Sequence, residues 1–179
     1  MTGIAMASSD PTTSDPTPPP APRQEALDSI AAQVAAIEIL VGLAKRSIRV
    51  FDIDLSEMGW NSAARAEGLA RFLRGSRMAR LEIIVHDTSH LEQSCARLRN
   101  LQRLNSEAIA IFRTGPEARG AMDPMVIVDA RHYLHRFNIE RARAALGIEQ
   151  PRAAQELKLR FDDIWATREG ELPGTTLGL

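Results

Sequence analysis

The sequence predicts an α/β fold with a mainly parallel sheet covered by helices on both faces. Short segments rich in β-branched and aromatic residues, such as 47–55 and 81–85, alternate with amphipathic segments of ten or more residues. Parallel strands need connections of about that length, and these are usually helices. Segment 125–128 is continuously apolar, as is typical of a strand that is buried on both faces of its sheet.

The chain is predicted to divide into a tail and one domain. Residues 1–22 are rich in Pro, Thr and Ser, a composition that buries too little apolar surface to offset the loss of chain entropy. We therefore expect a disordered tail at 1–22 and one α/β domain at 23–179. A domain of this size buries roughly two thirds of its unfolded surface, so it needs no metal or disulfide for stability.

Composition limits the classes of function. Cys95 is the only cysteine, which excludes an intramolecular disulfide and a CxxC metal site and fits a cytoplasmic protein. The net charge of −1 gives no general affinity for polyanions, so any anion site must be local. No segment approaches the ~20 apolar residues that span a bilayer, and the amino terminus does not resemble a secretory signal. We expect a cytoplasmic protein without a cofactor or a metal.

The elements follow from spacing and from capping residues. Apolar residues at alternating three- and four-residue intervals predict a first helix that begins near Arg23. Asn61 caps a second helix that Gly75 ends, and the S-x-x-E pattern at 89–92 begins a third. In order, we then expect a strand at 108–112, a loop at 113–124, the apolar strand at 125–128, a hairpin strand through 131–136, a short helix from about 139 to 147 and a final helix from 151.

Polar residues near the predicted strand ends are the candidates for a binding site. In α/β sheets, ligands collect beyond the carboxyl ends of the strands, and guanidinium groups suit bidentate contact with phosphate. Ion pairs between the same arginines and nearby carboxylates would look identical in the sequence. The predicted binding residues are Asp87, Arg113, Asp129, Arg131, His132 and Arg136.

The order of the elements, with a strand that closes in Val-Ile-Val-Asp at 126–129, resembles one repeat of the phospholipase D-like fold. Further similarity, at 97–106 and 160–165, is to a group of uncharacterised bacterial domains of that type. In the family the strand carries H-x-K-x-x-x-x-D, in which the histidine attacks phosphorus and the lysine binds phosphate. With Asp129 as the final aspartate, the histidine position falls at Met122 and the lysine position at Pro124. The resemblance implies a single phospholipase D-like repeat that lacks the covalent phosphohistidine route.

Three functions remain open from the sequence. The first is a catalytically inactive phospholipase D-like module that binds an anionic, phosphate-bearing ligand or a protein partner. The second is a Mg²⁺-dependent phosphoesterase, because Asp52 and Asp54 form a D-x-D pattern after an apolar strand that resembles haloacid dehalogenase-type phosphatases. The third is a structural dimerisation module, because catalytic single-repeat relatives pair two such halves and a homodimer is therefore an option.

Nucleic acid is a weaker candidate for the ligand. Aromatic residues make up only 4% of the chain, so the sequence offers no platform on which bases could stack. A basic run at Arg71, Arg74, Arg77 and Arg80 lies at the end of the second helix and in the loop beyond it. Such a run is usually a solvated surface, but it could also contact phosphate or a partner.

Overall fold

The computed structural model describes residues 18–174, so most of the predicted tail lies outside the described residues. The strands within that range are β1 (Arg23–Leu27), β2 (Ser47–Asp52), β3 (Arg80–Val85), β4 (Ile109–Arg113), β5 (Met125–Val128), β6 (His132–Arg136) and β7 (Ala144–Ile148). The helices are α1 (Ile30–Leu43), α2 (Ala63–Gly75), α3 (Ser89–Ser94), α4 (Ala96–Leu104) and α5 (Pro151–Ala166), and Pro116–Ala118 forms a 3-10 turn. None of these helices is both long enough and apolar enough to cross a membrane.

The strands form one mixed sheet in the order β1-β7-β6-β5-β2-β3-β4. Only the pairs β2–β3 and β3–β4 of this sheet are parallel, and the other four pairs are antiparallel. The α/β class is confirmed, but the prediction of a mainly parallel sheet is wrong. The physical reason is that helical crossovers connect β2, β3 and β4, whereas β5, β6 and β7 follow one another through short connections that reverse the chain.

Helices cover both faces of the sheet, as predicted. Side chains that include Val50, Ile83 and Val126 pack with α1, α2 and α4 in the larger core. On the opposite face, Ile127 packs with α5 through Phe161 and its neighbours. Each fully buried apolar side chain of this kind contributes roughly 1.5–3 kcal/mol to stability.

Two segments that were predicted as helix are strands. Residues 23–27 form β1, and α1 begins only after Ser29, whose Oγ accepts a hydrogen bond from the Ala32 amide at 3.2 Å. The predicted helix at about 139–147 is replaced by β7, in which Gly147 pairs with Tyr133 of β6. A Cβ at Gly147 would lie 2.2 Å from the Tyr133 ring, so this glycine allows close cross-strand contact rather than ending a helix.

The third predicted helix is divided in two. Cys95 has φ −103° and ψ 51°, which interrupts the helical backbone between α3 and α4. The residue that caps α3 is Thr88 rather than Ser89, and its side chain makes no capping hydrogen bond. Cys95 is fully buried, in agreement with its interpretation as a small core residue.

The direction of the strands defines two edges of the sheet. We call the edge where β2, β3 and β4 end the carboxyl edge, and the edge where they begin the amino edge. Because β5 is antiparallel to β2, with Val128 opposite Ile48, β5 ends at the amino edge. Strands of four to six residues separate the two edges by roughly 13–20 Å.

Candidate functional site

The structure divides the six predicted binding residues between the two edges. Asp129, Arg131 and His132 follow the end of β5 and lie at the amino edge. The carboxyl edge carries the other three, which are Asp87 after β3, Arg113 at the end of β4 and Arg136 at the end of β6. The reversed direction of β5 is the reason that these six side chains do not form one cluster.

At the amino edge, Asp129 binds the backbone at the beginning of β2. Its carboxylate accepts hydrogen bonds from the amides of Lys45, Arg46 and Ser47, each at 2.8 Å. Asp129 and Ala130 have φ values of 52° and 51°, which form the tight turn into β6. Both carboxylate oxygens are therefore occupied in joining β5 to β2.

Arg131 and His132 form a small group with Glu149. The Arg131 guanidinium lies 2.7 Å from the Glu149 carboxylate, and the Glu149 amide donates to His132 Nδ1 at 3.0 Å. Burial lowers the pKa of His132, although the nearby Glu149 carboxylate opposes that effect. The sequence left open whether Arg131 binds a ligand or forms an ion pair with a carboxylate. In the structure it forms an ion pair with Glu149.

At the carboxyl edge, the Arg136 guanidinium is fully occupied. The side chain is buried, its Nε donates to the Arg141 carbonyl at 3.0 Å, and its two terminal nitrogens donate to the Glu57 carboxylate and the Ile139 carbonyl. Arg131 and Arg136 thus lie at opposite edges, and neither is free to form the shared anion site that the sequence suggested.

Asp87 and Arg113 lie together at the ends of β3 and β4. The hydroxyl and the amide of Ser89 donate to Asp87 Oδ1 at 2.6 and 2.8 Å, and these hydrogen bonds lower the pKa of Asp87. The positive charges of Arg119 and Arg113 act in the same direction. Asp87 and both arginines are exposed, so the predicted binding residues Asp87 and Arg113 remain accessible at this corner of the carboxyl edge.

Asp52, the candidate nucleophile of the phosphoesterase hypothesis, is buried at the end of β2. Burial raises its pKa to about 7, and the nearby negative charge of Asp54 adds to that effect. Its Oδ1 accepts the Ile53 amide at 2.6 Å, while Asp54 forms a local turn with Ser56. Within residues 18–174, no three His, Cys, Asp or Glu side chains are grouped so that they could hold a metal ion.

The imidazoles of His86 and His135 lie beside segment 121–123 at the carboxyl edge. His86 is buried between the Thr114 hydroxyl at 2.6 Å and the Ala121 carbonyl at 2.7 Å, so both of its ring nitrogens are occupied. His135 is partly exposed, and its Nε2 lies 3.2 Å from Asp123 Oδ2. Of these two imidazoles, that of His135 is therefore the more accessible one.

Asp123 holds His135 together with Arg160 of α5. The Arg160 Nε donates to Asp123 Oδ2 at 2.6 Å, and a terminal nitrogen binds the other oxygen. Burial acts to raise the pKa of Asp123, but the hydrogen bonds from His135 and Arg160 together outweigh it and the pKa falls to about 2. Sequence reasoning missed this cluster, because its three members come from separate segments.

The positions at which the family motif places its histidine and lysine lie at the carboxyl edge. Met122 and Pro124 directly precede β5, and their carbonyl oxygens accept the amides of Ile139 and Arg136 at 2.8 Å each. The backbone here is thus well held, while neither side chain offers a nucleophile or a cation. Asp129, at the far end of β5, has the backbone-binding role described above.

A basic pocket lies at the amino edge, between the ends of α1 and α2. It has a volume of about 540 Å³ and is lined in part by Lys45, Arg46 and Arg71, all of which are exposed. Sequence reasoning noted the basic run that begins at Arg71 but did not connect it with Lys45 and Arg46. A run of cations without acidic neighbours was the available signal, and only the tertiary structure shows that the two segments meet.

Comparison with family models decides the family. A model described as a domain of unknown function, DUF7931, matches residues 29–171. The chain belongs to that family. The DUF7931 match covers every element from α1 to α5. A comparison with curated protein sequences gives no significant match.

Solved structures establish the fold of this DUF7931 domain. Nuc from Salmonella typhimurium, a phospholipase D family member, is similar with a TM-score of 0.61 and 16% identity, over 86% of this chain and 99% of Nuc. NucT from Helicobacter pylori is similar with a TM-score of 0.51 and 11% identity, over 84% of this chain and 99% of NucT. At these identities the likeness shows a phospholipase D-like fold and no activity.

A third similar structure is TrmBL2, an archaeal chromatin protein that shows a novel mode of DNA binding. Its TM-score is 0.64 at 13% identity, and the match covers 86% of this chain and 55% of TrmBL2. The phospholipase D-like fold of this DUF7931 domain is therefore similar to structures of proteins with different roles.

Proposed function

We propose that this chain is a phospholipase D-like module that binds a phosphate-bearing ligand and does not hydrolyse phosphodiesters. The observation that carries the proposal is the composition of the carboxyl edge at the two motif positions. Met122 and Pro124 stand there, and neither can attack phosphorus or bind phosphate through its side chain. The covalent route of the family has no first step without a nucleophile.

The neighbouring groups support a structural role for this edge. Arg136 donates to Glu57 and to two carbonyl oxygens, and His86 has both ring nitrogens occupied. Asp52 retains its proton up to a pH of about 7, because burial raises its pKa. Asp52 is only 5% exposed and its Oδ1 accepts the Ile53 amide, so the geometry leaves little access for a substrate and disfavours the phosphoesterase hypothesis.

The phosphate-bearing ligand is proposed from the fold and from accessible cations. Nuc belongs to the phospholipase D family and TrmBL2 binds DNA, so phosphate-bearing molecules are associated with neighbours of this fold. In this chain, Arg113 and Arg119 at one edge and Lys45, Arg46 and Arg71 at the other are exposed and offer positive charge. A protein partner remains the alternative class of ligand.

The test of inactivity is hydrolysis of bis(p-nitrophenyl) phosphate by the full chain, from acid to alkaline pH, with EDTA and with Mg²⁺. We expect no turnover above that of buffer. His135→Ala is the informative variant, because His135 is the accessible imidazole at the carboxyl edge and Asp123 already orients it. Turnover that His135→Ala abolishes would overturn the proposal, and Mg²⁺-dependent turnover that is lost in Asp52→Asn would favour the phosphoesterase.

A further inference from the structure

We infer that the basic pocket at the amino edge is a binding site for the phosphate backbone of nucleic acid. The inference rests on the proposed function, since it names the ligand class and the site for a module that binds phosphate. This site lies at the opposite edge of the sheet from Met122 and Pro124, the positions of the family's catalytic histidine and lysine. None of the residues that line the pocket was among the predicted binding residues.

Six basic residues lie close to one another at the amino edge. Lys45 and Arg46 follow α1, Arg71 and Arg74 lie in the last part of α2, and Arg77 and Arg80 lead into β3. The Arg80 amide donates to the Arg46 carbonyl at 2.9 Å, which brings the two ends of this series together. Lys45, Arg46 and Arg71 line the pocket, Arg74 and Arg77 flank its lining residues Gly75 and Ser76 in the chain, and Arg80 lies beside Arg46.

These six cations are not paired with carboxylates among the described residues. All six are exposed, and none forms an ion pair with a carboxylate in the part of the chain that the structure describes. The Arg80 guanidinium binds only the carbonyls of Arg77 and Ala79. By contrast, the buried Arg65 and Arg136 each pair with a glutamate.

Negative charges near the pocket oppose the binding of an anion. The carboxyl ends of α1 and α2 point toward the pocket, and each carries roughly half a negative charge. Asp129 and Glu67 are nearby acids, although Asp129 is occupied by three backbone amides. Glu149 also lies near Lys45 but is paired with Arg131, so subtracting the helix ends, Asp129 and Glu67 from the six cations of this edge leaves a net charge of about +3. The pocket therefore attracts anions.

The number of cations and the scarcity of exposed apolar side chains favour nucleic acid over other anions. Six exposed cations spread over this edge suit an extended chain of phosphates better than one isolated phosphate, which two or three cations can bind. A lipid surface needs apolar anchors, but within segment 71–80 the exposed large apolar side chain is Met78 alone, at 72% exposure. The aromatic residue that lines the pocket, Phe72, is only 5% exposed, so bases cannot stack on it. We therefore expect backbone contacts without sequence preference.

The test is fluorescence anisotropy of a labelled mixed-sequence DNA duplex of about 20 base pairs with the full chain. If about four phosphates are neutralised, affinity should fall roughly 100-fold between 50 and 200 mM salt. Arg46→Ala with Arg71→Ala should weaken binding at least about ten-fold and reduce the salt slope by about 2. The matched control is Arg141→Ala with Arg143→Ala, which removes the same charge from exposed arginines at the carboxyl edge and should leave affinity within about two-fold, while Arg113→Ala with Arg119→Ala tests the other accessible cations at that edge.

A second variant separates contact from long-range attraction. A Cβ at Gly42 would have no atom within 4 Å, so Gly42→Leu should fold normally while it fills part of the pocket without a change of charge. We expect weaker binding with an unchanged unfolding midpoint. Wild-type affinity in Gly42→Leu would overturn the inference that a phosphate enters the pocket.

The outcomes separate the inference from the proposed function. Duplex binding that only the Arg113 and Arg119 variant loses would overturn the inference and leave a phosphate-binding module at the other edge. Binding to vesicles that contain phosphatidylserine, without binding to DNA, would also overturn the inference. It would leave a phosphate-binding module whose ligand is a lipid surface. No binding to DNA, to such vesicles or to inorganic pyrophosphate at low salt would overturn the inference and the phosphate-bearing ligand together.

Discussion

The carboxyl edge keeps its buried charges within the protein, whereas the amino edge presents six exposed cations around a pocket. At the carboxyl edge, Arg136 is bound by Glu57 and Asp123 is bound by Arg160 and His135. At the amino edge, Lys45, Arg46 and Arg71 line a pocket and have no carboxylate partner among the described residues. Paired charges hold a structure together, while exposed and unpaired charges are available to a ligand. The comparison therefore supports a structural role for the paired charges at the first edge, and it is the basis of the binding site proposed at the second.

The largest expected effect concerns Asp52 and the pH dependence of stability. Its folded pKa of about 7 lies above the ordinary value of 3.8, so this group opposes folding progressively as pH rises from about 4 to 7. At about 1.4 kcal/mol per pKa unit, Asp52→Asn should gain about 4 kcal/mol relative to wild type between pH 4 and pH 8. Urea unfolding at several pH values measures this difference. Parallel stability curves would mean that Asp52 is ionised in the folded protein.

The next effect compares one arginine from each edge. Arg136→Ala removes a buried guanidinium with three acceptors and should cost about 3 kcal/mol of unfolding free energy. Arg131→Ala is the matched control, because its ion pair with Glu149 has an arginine side chain that is 56% exposed. That change should cost much less, because solvent screens an exposed ion pair. Equal costs in urea unfolding would contradict the structural role of Arg136.

A smaller effect concerns Asp123 at acid pH. Its folded pKa of about 2 lies below the ordinary value of 3.8, so its contribution is fully present above about pH 4 and is lost as pH falls toward 2. Asp123→Asn should therefore cost about 2 kcal/mol at neutral pH and almost nothing near pH 2. Thermal unfolding across that range measures the change. A cost that does not depend on pH would show that the ionised form of Asp123 is not the stabilising one.

Local pattern was sufficient for the buried elements and insufficient for strand direction. The apolar runs at 81–85 and 125–128 were predicted as strands and are strands, because continuous apolar segments of this length suit a buried sheet. Periodicity carries no information about whether a strand runs parallel or antiparallel to its neighbour. The turn at Asp129 and Ala130 and the short connections after it decide that β5, β6 and β7 reverse direction.

The candidate site was predicted less well than the fold for the same reason. Asp129 was grouped with Asp87 because both follow apolar strands, but β5 and β3 end at opposite edges. The contact between Asp123 and Arg160 joins residues 37 positions apart, and the contact of Arg46 with Arg80 joins the residue before β2 to the first residue of β3. Contacts of this kind depend on tertiary packing, which no local spacing encodes.

The most direct test of the comparison is amide hydrogen exchange of the full chain with and without the DNA duplex. The account predicts added protection in segments 42–47 and 68–80, with little change at 85–90 and 113–121. Such a pattern would place the ligand on the basic pocket at the amino edge. Protection confined to 85–90 and 113–121 would contradict the account and return the binding site to the carboxyl edge.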